Sequence, residues 1–300
     1  NIFIHCCFHF CTFFRETKIY LFFLFSKCNE YFFSIVFVNS FLIFAKMRYF
    51  IEFSYNGKNY HGWQTQPNAI TVQQILSKCI SLKLKEKVDL IGAGRTDTGV
   101  HALAQVAHLD INQHSLEDEK DKLGTLTMGL NFYLARDTQN KISVIKTKKV
   151  GDTFHARFSA ISRCYRYTIL NSKSPSPLLR NKSWRIPIKL NEKLMRKASS
   201  LLEGKHNFSA FRSIDCQSKS AIKTIRKIEV KRKGDIIYIR VIAKSFLMSQ
   251  VRIFAGTLVD IGLNKKSEDH IKKALESGKR TLAGPTAPAH ALVLEEVKYS

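Results

Sequence analysis

Arg95, Asp97 and His101 stand close together in the stretch G-R-T-D-T-G-V-H-A, Gly94 to Ala102, with a glycine on either side of the aspartate. In an extended segment, residues two apart point to the same side, so Arg95 and Asp97 set a cation beside a carboxylate. A carboxylate so placed can act as a nucleophile or take a proton. The local chemistry also fits a quieter role. An Asp in a Gly-flanked loop commonly closes a turn through backbone N–H groups, and an exposed Arg–Asp pair contributes little. The choice between the two depends on the rest of the chain.

Two strands are expected to hold this loop: V-D-L-I-G-A-G, Val88 to Gly94, leads into it, and L-A-Q-V-A-H-L, Leu103 to Leu109, leaves it. The glycines allow the turn between them to be tight. Upstream, Arg48 to Tyr55 alternates like a half-buried strand, and N-G-K-N-Y-H-G-W-Q follows as a turn-rich loop with Tyr60, His61 and Trp63. Thr71 can cap a helix that sets Val72, Ile75, Leu76, Cys79, Ile80 and Leu82 on one face. Residues 117–135 start acidic and turn apolar, which suggests a helix, and Ile142 to Val150 reads as a strand. The order is βαββαβ.

The second half gives the same order with an insertion. Arg163 to Leu170 alternates as a strand, and the proline-bearing stretch Asn171 to Pro187 is a long loop. Asn191 to Glu203 is a helix capped by Asn191 and ended by Gly204. Ile225 to Arg232 and Ile236 to Ala243 are strands joined across a Lys233–Asp235 hairpin turn. Phe246 to Leu263 is a long apolar helix, Glu268 to Ser277 a short amphipathic one, and Ala291 to Tyr299 a closing strand. The expected class is therefore α+β. Two ferredoxin-like units, residues 47–153 and 154–300, join into one mixed, mainly antiparallel sheet with a central cleft.

The chain has 300 residues, 45% of them hydrophobic, and a net charge of +24. Such an excess favours polyanionic partners such as nucleic acid. It is spread along most of the chain, as expected of a folded basic surface rather than a charged tail. The cysteines beyond residue 28, Cys79, Cys164 and Cys216, are isolated, with neither a zinc spacing nor a disulfide framework, which fits reduced thiols in a cytosolic protein. Residues 1–46 differ from the rest. Thirteen of the 22 Phe precede the first Met, Met47. The longest uncharged run there after residue 14, Tyr31 to Ala45, is short of the roughly 20 residues of a membrane span, and no signal-peptide pattern is present. The expectation is an upstream-translated extension outside the fold; the alternative is a membrane anchor.

G-R-T-D-T-G-V-H-A resembles the catalytic motif of the TruA-type tRNA pseudouridine synthases. Other blocks resemble the same family in the same order: Phe53–Gln64, Phe154–Tyr167, Gly204–Arg212, Phe246–Leu258 and Ala291–Tyr299. Residues 1–46 have no counterpart. The resemblance implies a pseudouridine synthase fold and the isomerisation of uridine to pseudouridine at positions 38, 39 and 40 of the tRNA anticodon stem-loop. It implies a cytoplasmic homodimer that needs no cofactor or metal and no membrane. It implies that Asp97 is the catalytic residue and that Arg252 pairs with it. A buried carboxylate needs such a cation to stay ionised. It implies further that Tyr165 lies against the target base, that Arg95 enters the RNA where the uridine has left, and that Leu292 contacts the base. His101 receives no catalytic role. The chain departs from the family's usual residues at Thr98, Gln250 and Ala291, which bears on substrate preference. A non-catalytic RNA-binding or RNA-folding protein on the same basic sheet is the alternative.

Overall fold

The computed structural model describes residues 46–112 and 122–300. The expected extension, with its anchor alternative, lies outside the described residues apart from Lys46, as does the acidic start of the 117–135 segment. No helix among the described residues is long and apolar enough to cross a membrane.

Strand β1 (Lys46–Tyr55) turns Tyr49, Ile51, Phe53 and Tyr55 into the core by simple alternation. Helix α1 (Val72–Leu84) starts where expected, with the Thr71 side chain accepting from Gln74 N at 3.3 Å. Its buried face is Val72, Leu76, Cys79, Ile80 and Leu84; Leu82 is 45% exposed, so Leu84 holds the place expected for Leu82. The expected Val88–Gly94 strand shrinks to β2 (Ile91–Gly92), because Val88 and Leu90 are buried but only Ile91 and Gly92 find partners, His108 and Ala107. The strand after the loop is longer than expected: β3 runs His101–Asn112. Helix α2 (Lys122–Thr138) and strand β4 (Ile142–Lys149) complete the first half.

The second half opens with β5 (Ser162–Leu170), and the proline-bearing loop contains a short 3-10 turn (Pro177–Leu179) and the short β6 (Trp184–Arg185). Helix α3 (Glu192–Ser200) is capped by Asn191 as expected, but Gly204, at φ +95°, opens β7 (Gly204–Asn207) instead of ending the helix. The hairpin β8 (Ile222–Lys233) and β9 (Ile236–Ala243) turns at Gly234. Helix α4 (Gln250–Gly262) begins at Gln250 and not at Phe246; α5 (Asp269–Ser277) and β10 (Leu292–Lys298) follow.

The strands among the described residues form one sheet in the order β4-β1-β3-β10-β5-β9-β8-β7, with β2 beside β3 and β6 beside β5. Each half keeps the ferredoxin-like neighbours, and the halves meet where β10 pairs β3 in parallel, Val293 with His101 and Leu294 with Ala102. Apart from that junction and the short β5–β6 pair, the ladders are antiparallel. The join falls directly after the Gly94–Val100 loop. One apolar core continues across it, containing Ile51 and Phe53 from the first half and Tyr165, Tyr167 and Phe254 from the second.

Candidate active site

The loop that carries Asp97 is fixed first at its root. Ile91 pairs with His108 across the ladder, and the buried His108 ring hydrogen-bonds the Ile91 backbone while its Nδ1 accepts from Ala156 N at 3.1 Å. Arg163 on β5 donates to Ala93 O from Nε and Nη2 (3.1 and 2.5 Å). Its remaining donors reach Arg157 O and Lys244 O, so one buried guanidinium joins the loop root, the segment between the halves and the end of β9. Gln105 donates to Gly94 O at 3.0 Å. Desolvation pushes both His108 and Arg163 down from their ordinary pKa; His108 falls to about 4, with the Arg48 and His155 charges adding to the burial.

The loop is then clasped by the aromatic segment after β1. Trp63 N donates to Thr96 O (3.2 Å), and Tyr55 OH meets Thr96 Oγ1 at 2.8 Å in the core. Burial pushes the Tyr55 phenol up to about 12, against the opposing hydrogen bonds with Thr96 and Gln105. Gly62 sits at φ +82°, and a side chain there would come within 2.6 Å of Thr96 O, so only glycine lets the two loops touch. With Thr96 turned inward, the neighbouring Arg95 and Asp97 side chains are turned the other way.

Asp97 is met by α4. Arg252 Nη1 donates to Asp97 Oδ2 at 2.9 Å, and Ser249 Oγ donates to the same oxygen at 2.8 Å. Arg252 spends its Nε on Ala287 O at 2.8 Å. Ala287 lies on a stretch pressed against α4, where a side chain at Gly256 would collide with Pro285 O and where Gly284 N donates to Thr257 Oγ1 at 2.8 Å. The ion pair is largely enclosed, the two side chains being 18% and 20% exposed. The structure thus brings together Asp97 and Arg252, residues far apart in sequence. Tyr165 is buried beside them, edge-on to Phe246 at 5.2 Å. Its phenol is pushed up by burial first, then by Tyr55 and the Asp97 carboxylate. Tyr167, on the same face of β5, is fully buried and donates to Pro288 O at 2.9 Å.

The remaining residues of the sequence reading divide. Arg95 is exposed, does not pair with Asp97, and donates to Gln217 Oε1 at 3.2 Å on the loop before β8. Leu292 is buried at the start of β10, paired with Tyr167. His101 is held structurally: its Nδ1 accepts from Gly57 N at 2.9 Å and its Nε2 faces Asn181 O and His290 O, which fixes the neutral tautomer. Of the departures, Thr98 is exposed and Ala291 buried, while Gln250 is buried with Oε1 accepting from Leu247 N at 2.8 Å. Four contributors were not anticipated: Ser249, Arg163, His108 and Gln105. A charged or amide side chain on a buried strand was the available signal for the last three.

A polar cavity of about 270 Å³ lined by Arg166, Glu229, Lys231, Tyr238, Arg240 and Glu295 lies away from this constellation. Strand alternation puts Arg166 on the opposite face of β5 from Tyr165. The cavity is built on salt bridges from Glu295 to Arg166 and Arg240, and is separate from the carboxylate site. No group of three or more His, Cys, Asp or Glu among the described residues is arranged to hold a metal ion.

Comparison with known proteins converges on one family. The family model described as tRNA pseudouridine synthase matches residues 52–159 and 198–300. The chain is 45% identical over 249 residues to the tRNA pseudouridine synthase A of a Thermoanaerobacter species, spanning 83% of this chain and 98% of that one. It is 40% identical over 252 residues to that of Sinorhizobium fredii, covering 84% and 99% of the two chains. It is 41% identical over 253 residues to that of Colwellia psychrerythraea, covering 84% and 94%.

Proposed function

The chain belongs to the tRNA pseudouridine synthase family, and from that premise we propose that it isomerises uridine to pseudouridine at positions 38, 39 and 40 of the tRNA anticodon stem-loop, with Asp97 as the catalytic carboxylate. The reaction breaks the bond from uracil N1 to the sugar, turns the base, and joins its carbon 5 to the same sugar carbon. The carbon-5 proton leaves and N1 gains one, so no atom is lost overall and no electron changes hands. The observation that carries the assignment is the Asp97–Arg252 pair at 2.9 Å, closed over by α4 and the 283–288 stretch. Oδ2 takes both donors, and among the described residues no donor reaches Oδ1. That oxygen is available either to attack the sugar carbon or to take a proton from its neighbour.

The other residues fall around this centre. Tyr165 offers its ring to the flipped base, a stack of about 1–3 kcal/mol, and a phenol that burial keeps protonated. Leu292 supports the base from β10. Arg95, exposed at the loop's rim, fills the gap left by a nucleotide whose flipping costs a few kcal/mol. The units 47–153 and 154–300 act as two halves of one RNA platform, in a cytoplasmic homodimer on which one tRNA spans both subunits. Sedimentation of the purified chain tests the dimer.

The first test is Asp97→Asn, assayed on a tRNA transcript by pseudouridine mapping. Pseudouridine formation falls to background while the tRNA remains bound. Product formed by Asp97→Asn at the wild-type rate would exclude Asp97 as the catalytic group.

A further inference from the structure

We infer that Ser249 is a positioning residue that, together with Arg252, locks the rotation of the Asp97 carboxylate so that Oδ1 is the oxygen presented to the sugar; this rests on Asp97 being the catalytic carboxylate. Ser249 holds the N-cap position of α4, where a serine side chain ordinarily accepts from a backbone N–H in the first turn of its own helix. Here the side chain makes no capping bond, and its hydroxyl donates to Asp97 Oδ2 at 2.8 Å. The backbone makes this possible. Ser249 has φ 59° and ψ 8°, a left-handed conformation that serine seldom adopts and that surrounding structure must enforce.

The enforcement is visible on both sides. Gln250, buried, accepts from Leu247 N through Oε1 at 2.8 Å, and its own backbone N–H donates back to Leu247 O at 3.2 Å. Met248 O accepts from Ser213 N at 3.1 Å. The turn from Leu247 to Gln250 is therefore pinned to the core and to the loop before β8, and Ser249 is the residue it projects toward Asp97. A carboxylate held by one arginine N–H can still pivot about that bond. A second donor on the same oxygen, arriving from the turn that opens the helix one turn away from Arg252, removes the pivot. The helix loses a cap, and the carboxylate gains a fixed orientation.

The test uses the full chain, a tRNA transcript, and Ser249→Gly, Ser249→Ala and Ser249→Asn beside Asp97→Asn. Glycine accepts the left-handed backbone without strain, so Ser249→Gly removes the hydroxyl while keeping the fold. Its melting temperature is expected at or above that of wild type, its KM unchanged, and its kcat lower by roughly ten- to a hundred-fold, the range for losing a hydrogen bond to a charged group. Ser249→Ala loses kcat similarly and melts lower. Asparagine tolerates the left-handed region and carries a donor amide, so Ser249→Asn recovers most of the lost kcat. Wild-type kcat in Ser249→Gly, or Ser249→Asn no better than Ser249→Gly, overturns the assignment. An active Asp97→Asn overturns the reading of Asp97 itself. An inactive Asp97→Asn with a fully active Ser249→Gly removes Ser249 alone.

Discussion

The geometry at Asp97 depends on what an arginine can do that a lysine cannot. Arg252 divides its guanidinium, with Nε to Ala287 O and Nη1 to Asp97 Oδ2, so one rigid fork ties the 283–288 stretch to the carboxylate. A lysine is a point charge on a flexible stem and cannot hold both directions at once. Arg252→Lys is therefore expected to fold, bind tRNA, and lose kcat by roughly ten- to a hundred-fold, in line with the strength of a charge-assisted bond. Single-turnover assays at saturating tRNA check this, and a lysine variant as fast as wild type would show that charge alone suffices. The Asp97–Arg252 partnership was legible through the family resemblance, and the apolar neighbours Val251, Ile253 and Phe254 added only that a buried arginine there needs an anion. Arg95 is the nearer cation in sequence, yet it reaches Gln217 instead. The contribution of Ser249 was not legible. The direction of a serine hydroxyl follows from the backbone conformation under it, and nothing in the stretch S-Q-V-R signals a left-handed residue.

At the level of elements, the expected strands and helices occur in the expected order, and the errors concentrate where polar side chains override hydrophobic pattern. Val88–Gly94 reads as a strand on apolarity, but its backbone groups go to the Arg163 and Gln105 side chains as well as to the ladder, so β2 is only Ile91–Gly92. Phe246–Leu263 reads as one helix, but the Leu247–Gln250 turn delays α4. Replacing Arg163 by Met strands the carbonyls of Ala93, Arg157 and Lys244 together. Of these the Ala93 carbonyl is buried, and a buried, unpaired group costs about 1–3 kcal/mol, so Arg163→Met should lower the melting temperature and, because the Asp97 loop loses its root, kcat as well. His108 gives the root a pH dependence. Its folded pKa is lowered, from 6.5 to about 4, chiefly by burial, so the unfolded chain takes up the proton first as pH falls. The stabilisation is complete above about pH 6.5, erodes as pH falls toward about 4, and changes no further below that. Protonated Nδ1 can no longer accept from Ala156 N. Thermal melts from pH 7 to pH 4.5 should therefore show a smaller loss in His108→Gln than in wild type, although the variant is less stable at pH 7. Parallel curves would mean that another group governs the acid side.

The whole molecule carries 48 Lys and Arg against 24 Asp and Glu. Several of the acids are already matched within the fold, including Asp110 with Arg48, Asp137 with Lys78, Glu229 with Lys227, and Glu295 with Arg166 and Arg240. Their charge is cancelled locally, and the cationic excess remains to act outward on a polyanion. In that field a carboxylate facing RNA opposes binding, which only a chemical role justifies. Asp97→Asn should consequently bind tRNA as tightly as wild type or more tightly while making no product. Weaker binding by the inactive variant would point instead to a part for Asp97 in holding the RNA. The first element among the described residues is β1, and the family model matches from residue 52, so a chain starting at Met47 should keep the melting temperature and activity of the full chain; a loss of either would give residues 1–46 a part in the folded protein. If phosphate contacts supply most of the affinity, each contact releases counterions, and the logarithm of the binding constant falls linearly with the logarithm of salt concentration. For about five contacts the affinity should drop roughly 10²- to 10³-fold between about 50 and 200 mM salt. Binding isotherms across that range, with wild type and with Asp97→Asn, should give parallel lines, because the aspartate changes the offset and not the number of phosphates engaged. A flat salt dependence would instead place the affinity in base stacking and shape, and would remove the basic surface from the account of how the tRNA is held.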